Sequence, residues 1–223
     1  MSDNNSWNAV DGYVTDHLIG ADPALDSALE DSARAGLPPI AVSPPQGKLL
    51  YLTALSLRAQ RILEVGTLGG YSTIWLARAL PDEGRLITLE LEQKHADVAR
   101  ANVDRAGVGA RVEIRVGAAL DTLPALAGEG GAPFDLVFID ADKDNIPAYF
   151  DTAARITRPG GLIITDNVVR NGALTDAASN DGRIRGVRAF HEMLRSRTDV
   201  EATTIQTVGA KGYDGFNLAL VKG

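Results

Sequence analysis

The sequence predicts an α/β protein whose mostly parallel sheet closes with an antiparallel hairpin. Three observations predict it. From Arg61 onward, short apolar runs alternate with helix-length segments, which is the pattern of a parallel sheet covered on both faces. The last two apolar runs are joined only by a short segment containing Gly209, Gly212 and Gly215, too short for a parallel crossover, so they pair antiparallel. At 223 residues the chain fills one α/β domain well and is short for two.

The elements follow in order. Trp7, Val10, Val14 and Leu18 recur at helical spacing. Asp22 before Pro23 reads as an N-cap and first-turn proline, and Gly36 with Pro38 and Pro39 stops that helix. Ser43-Pro44-Pro45-Gln46 has capping-box spacing, with Leu49, Leu50, Leu52 and Leu55 as the apolar face behind it. Strands are expected at 61–65, 85–89, 111–116, 134–139, 161–165, 202–208 and 216–221. Helices are expected at 71–79, 93–105, 119–127, 145–156 and 183–196. The stretch 168–186, with Asn171, Asp176, Asn180 and few large apolar residues, reads as a flexible loop suited to act as a lid. No repeat interrupts this order. Residues 1–58 are assigned to N-terminal helices and 59–223 to the α/β core of a single domain, 1–223.

A net charge of -7 argues against nucleic acid as a partner, because a phosphate backbone wants clustered Lys and Arg. With no cysteine, disulfides, thiolate catalysis and Cys-ligated zinc are excluded. A cytoplasmic protein without membrane attachment is expected: the first residues are polar, and no apolar run is long enough to span a bilayer.

Ligands of open α/β sheets bind beyond the carboxyl ends of the strands. Glu64, Glu90, Asp140 and Asp166 stand at or beside the ends of the first, second, fourth and fifth runs. Any one of them is accounted for as a helix cap. Four at one rim repel one another and call for a cation or hydrogen-bond donors. Gly66, Gly69 and Gly70 allow the first turn to bend sharply and approach a ligand, and the helix beginning near Ser72 can receive a carboxylate or phosphate. The turn is not G-x-G-x-x-G, which disfavours a dinucleotide. Glu90 is placed to hold the hydroxyls of a ribose. Asp140, Asp166 and Asn167 offer only oxygen, suiting Mg²⁺, with Mn²⁺ or Ca²⁺ as alternatives. Asp166-Asn167 also reads as a simple turn, but its neighbour Asp140 favours ligation. His17, His95 and His191 show no ligand spacing and read as surface or packing residues.

At these residues the sequence resembles the cation-dependent O-methyltransferases, the family of caffeoyl-CoA O-methyltransferase, related to catechol O-methyltransferase. The resemblance rests on Glu64-Val65-Gly66 with Gly70-Tyr71-Ser72, on Phe138-Ile139-Asp140-Ala141-Asp142-Lys143, and on Asp166-Asn167 followed by Asn171. It runs from about Ile40 to the C-terminus. It implies a Rossmann-like, seven-stranded class I methyltransferase fold and S-adenosylmethionine as cofactor. By resemblance, Val42 contacts that cofactor through its backbone and Glu64 binds its methionine end. Gly66 and Thr67 line it, Ser72 receives its carboxylate, Glu90 holds the ribose and Ala119 lies beside the adenine. Asp140, Asp166 and Asn167 ligate the metal, with Asp140 also facing cofactor and acceptor. Asn171 positions the acceptor, and Lys143 resembles the family's catalytic base. A homodimer is the family's common state.

The sequence departs from the family at Tyr213-Asp214-Gly215-Phe216, which lacks the basic pair often following Asp-Gly, and in its first sixty residues. The caffeoyl-CoA acceptor is therefore not carried over. The expected acceptor is a phenolic small molecule such as a catechol, whose hydroxyl is acidified by the dication and deprotonated by Lys143. A dication nearby disfavours the charged ammonium. Two other readings remain at this stage: an NAD-type oxidoreductase on a similar sheet, and a cofactor-binding protein without catalysis.

Overall fold

The computed structural model describes residues 3–223. Its strands are β1 (Arg61–Val65), β2 (Arg85–Glu90), β3 (Val112–Val116), β4 (Phe134–Ile139), β5 (Thr157–Asp166), β6 (Val200–Gly209) and β7 (Gly212–Val221). They form one seven-stranded sheet in the order β3-β2-β1-β4-β5-β7-β6. The first five run parallel, and β7 lies antiparallel between β5 and β6. The helices are α1 (Asp3–Leu18), α2 (Pro23–Arg34), α3 (Pro44–Ser56), α4 (Tyr71–Arg78), α5 (Gln93–Arg105), α6 (Ala119–Gly128), α7 (Ile146–Ile156) and α8 (Gly182–Ser196). No helix among the described residues is long and apolar enough to cross a membrane.

Alternating residues of a strand face opposite sides, so the apolar runs supply two cores. Ile62, Leu136 and Phe138 pack with Leu50, Ile74, Trp75 and Val103 from α3, α4 and α5. Leu63, Val65, Val137 and Ile139 pack with Leu123, Phe150, Val187 and Phe190 from α6, α7 and α8. The same alternation turns Glu64 toward α4 and, through the register Glu64↔Thr88, sets it beside Thr88.

Three local expectations are corrected. Ser43 caps α3 by accepting from the Gln46 N–H at 3.4 Å, but the Gln46 side chain does not turn back to close a capping box; it reaches Asp166 instead. The buried face of α3 is Gly47, Leu50 and Ala54, while Leu49, Leu52 and Leu55 are 40%, 49% and 42% exposed. A glycine there lets the helix lie against the Trp75 indole, and that contact sets which face is buried. Finally, the Gly-rich stretch is mostly strand. Gly209 pairs with Gly212 around a two-residue turn, Ala210-Lys211, and the ladder continues through Gly215. Pairing satisfies backbone groups that a loop would leave to water. Gly215 permits it, because a Cβ would stand 2.3 Å from the Ile205 carbonyl oxygen.

Gly47→Ala tests the α3–α4 contact. An added Cβ would stand 2.4 Å from ring atoms of Trp75, itself 5% exposed. The expected loss is about 1–3 kcal/mol, read as a lower urea midpoint at unchanged slope. A gain in stability, as alanine brings to an open helix, would show that the helix moves freely off the indole.

Candidate active site

The sheet order reverses between β1 and β4: β1 feeds α4 on one face and β4 feeds α7 on the other. A crevice opens at such a switch point, at the carboxyl ends of the strands. A cavity of about 780 Å³ lies there, lined by loops that follow β1, β2, β3, β4 and β5 and by the segment before α3. Gly66 adopts φ +103, and a Cβ on it would stand 2.5 Å from the Asp140 carbonyl oxygen. The two loops therefore meet backbone to backbone.

Val42, Gly66, Thr67, Ser72, Glu90 and Ala119 all line the cavity. Gly70, at φ +83, begins α4 without a side-chain cap, so backbone N–H donors of its first turn are open to an anion. Ser72 sits in that turn, and its hydroxyl donates to Glu64 at 2.6 Å. Glu64 itself is fully buried beneath the turn and does not line the cavity. It also accepts from the hydroxyls of Thr73 at 2.5 Å and Thr88 at 2.7 Å. Burial outweighs these bonds and lifts the Glu64 carboxyl to about 7, with the Asp140 charge adding to the rise. Glu90 accepts from the backbone N–H groups of Thr67 at 3.1 Å and Leu68 at 2.7 Å through one oxygen. Its other oxygen accepts from Glu92 N–H and lies 3.3 Å from His95 Nδ1.

At the other end stand Asp140, Lys143 and Asn167, which also line the cavity. Lys143 Nζ donates to Asp140 Oδ1 at 2.7 Å, and its side chain is only 9% exposed. It pairs with neither Asp142 nor Asp144: Asp142 accepts from Tyr149 and Asn145 instead. Burial and hydrogen bonding to Asp142 push the Tyr149 hydroxyl upward, so it holds its proton. Asp166 lies just behind the wall, 4% exposed, and accepts from Gln46 Nε2 at 2.7 Å and Asn167 N–H at 2.8 Å. Burial first, and then the Asp140 charge, raise its proton affinity.

Two carboxylates that disfavour each other's charge beside a side-chain amide are a donor set that a hard dication satisfies. Among the described residues no cluster of three or more His, Cys, Asp or Glu side chains could hold a metal by itself. A cation held here would have to draw on two carboxylates, the Asn167 amide oxygen and water. Asn171 is exposed, at φ +54, and does not line the cavity.

Sequence spacing missed several lining residues. His95, Tyr149, Arg170 and Arg183 all face the cavity. His95 departs from the reading of all three histidines as surface or packing residues. Its place on α5, one turn after Glu90, was a signal available in the sequence. The stretch 168–186 is shorter as a loop than expected: Ala173–Thr175 forms a 3₁₀ turn, and Asp181 caps α8 through the Arg183 N–H.

A family model described as O-methyltransferase matches residues 18–220. A catechol O-methyltransferase of Niastella koreensis is 52% identical over 98% of this chain and 99% of its own length. Among solved structures, the O-methyltransferase TomG from Streptomyces achromogenes, in complex with SAM, superposes with a TM-score of 0.97 at 54% identity over the full length of both chains. The O-methyltransferase from Bacillus cereus, in complex with SAH, gives 0.96 at 53% identity over 98% of this chain and 100% of that one.

The raised Glu64 carboxyl makes stability depend on pH. In the folded ligand-free protein it titrates near 7, and its ordinary value is 4.5, so between these limits the folded state holds more protons than the unfolded. Its contribution is fully present below about 4.5 and is lost as pH rises through 7, up to about 3 kcal/mol in all. Urea titrations at pH 5 and pH 8 read the slope, and Glu64→Gln should flatten it. An unchanged slope in that variant would show that Glu64 is ionised in both states.

Proposed function

Since the chain belongs to the O-methyltransferase family, we propose that it transfers a methyl group from S-adenosylmethionine to a hydroxyl of a catechol-like or other phenolic small molecule, with a divalent cation at Asp140, Asp166 and Asn167. The observation that carries this reading is one continuous cavity. It runs from the uncapped start of α4, suited to a carboxylate, to the Asp140–Lys143 pair. Relatives solved with SAM and SAH support the same donor here.

Val42 contributes backbone to the donor's pocket, and Gly66 and Thr67 line its methionine end. The α4 N-terminus with Ser72 receives its carboxylate. Glu64 acts on that end from below, by holding Ser72 and Thr73 in place. Glu90 takes the ribose, with its carboxylate oriented by three backbone N–H groups, and Ala119 lies beside the adenine.

S-adenosylmethionine supplies an electrophilic methyl group, and a dication, Mg²⁺ foremost, supplies a Lewis acid that acidifies an acceptor hydroxyl. The remaining work is positioning and proton removal. Lys143 takes the hydroxyl proton at Nζ, and Asp140 stabilises the resulting ammonium at 2.7 Å. Lys143 must be neutral to accept that proton, and a dication held at Asp140 would favour that form by disfavouring the ammonium.

A homodimer completes the proposal. Val10 and Tyr13 on α1, Leu49, Leu52 and Leu55 on α3, and Ile205 and Val208 on β6 leave apolar surface exposed on elements that adjoin α1. Surface of this kind is commonly buried between subunits.

Methylation of catechol with Mg²⁺ tests the reaction. Chelator should abolish turnover, and Lys143→Ala should lower it about 10²–10⁴-fold while calorimetry shows the donor still bound. Full turnover in chelator rejects the cation, and normal turnover in the variant rejects the base. Light scattering tests the dimer. Leu52→Glu should give a monomer, and a monomeric parent protein would end that proposal.

A further inference from the structure

Arg170 lines the cavity three residues after Asn167, with its side chain 26% exposed. Its backbone is held at φ +55. Asp214 fixes it there: one carboxylate oxygen accepts from the N–H groups of Val169 at 3.0 Å, Arg170 at 2.8 Å and Gly215 at 3.0 Å. That leaves Asp214 Oδ2 in a loose ion pair with Arg170 Nη1 at 3.7 Å, too long for a hydrogen bond. Arg170 Nε is buried without a partner among the described residues. The other cations along the wall are already engaged. Lys143 holds Asp140, and Arg183 grips Asp181 with two bonds of 3.0 and 2.6 Å. Asp181, the second acid near Arg170, is saturated by that grip.

A guanidinium held by one loose ion pair keeps donors free for a second anion that enters the cavity. We infer that Arg170 selects acceptors that carry a carboxylate as well as the reacting hydroxyl. This rests on the proposed methyl transfer in the same cavity. The hydroxyl end of the acceptor lies toward Lys143 and Asn167, and its acid group lies toward Arg170. The planar fork of arginine matches a carboxylate with two parallel bonds. A single aromatic ring bearing an acid suits the space, because about 780 Å³ must hold donor and acceptor together.

Calorimetry tests this with 3,4-dihydroxybenzoate and catechol, each titrated into protein loaded with S-adenosylhomocysteine and Mg²⁺. The acid should bind about 10–100-fold more tightly than catechol, as one charge-assisted pair provides. Arg170→Ala should erase that ratio, with the loss falling on the acid, and Arg170→Lys should restore part of it. Equal affinities in the parent protein, or a ratio unchanged in Arg170→Ala, overturn the inference. Parallel losses for both ligands assign Arg170 a structural role and overturn it too. Methyl transfer is measured alongside: an Arg170-dependent preference without any transfer refutes the reaction and leaves the carboxylate site standing.

Discussion

No side chain fits between Gly66 and the Asp140 carbonyl, and the geometry of the site hangs on that contact. β1 and β4 are neighbours whose chains leave the sheet toward opposite faces, so their loops must separate. At the point of separation they touch through backbone alone. The turn that starts α4 is thereby set against the segment that carries Asp140 and Lys143. A residue larger than glycine would push the two apart, and a misplacement of about 1 Å in a bimolecular transfer costs orders of magnitude in rate.

Four acids crowd this rim, and each is kept there by different partners. Glu64 has three hydroxyls, Glu90 has backbone N–H groups, Asp140 has an ammonium, and Asp166 has the Gln46 amide. The two deepest, Glu64 and Asp166, are the two whose carboxyls are raised. Their hydrogen bonds do not fully replace the water they have lost. Glu90 and Asp140, by contrast, face the cavity directly.

Much of the scaffold was legible because it is local. The 61–65 and 134–139 runs match β1 and β4 residue for residue, and 93–105 matches α5. Where expectation and structure part, a distant partner decided. Gln46 has capping-box spacing, yet its amide bonds Asp166, 120 residues away. Four leucines follow in α3, and Trp75 of α4 determines that Leu50 is buried while Leu49, Leu52 and Leu55 are left out. Glu90 suited the ribose of a dinucleotide as well as that of a methyl donor, and the match to the O-methyltransferase family favours the methyl donor.

By itself the sequence determined the periodicities, and with them the strands, the two core faces and the rim on which Glu64, Glu90, Asp140 and Asp166 must lie. Those follow from bond geometry repeating every two or 3.6 residues, which no distant contact alters. Only the tertiary structure decided which rim residues reach the cavity and which lie behind it. Glu64 is buried, Arg170 faces in with only a loose ion pair to Asp214, and Asn171 stays outside. Such assignments depend on where separate loops meet and on what remains unpaired once they have met, and neither quantity is carried by any single stretch of chain.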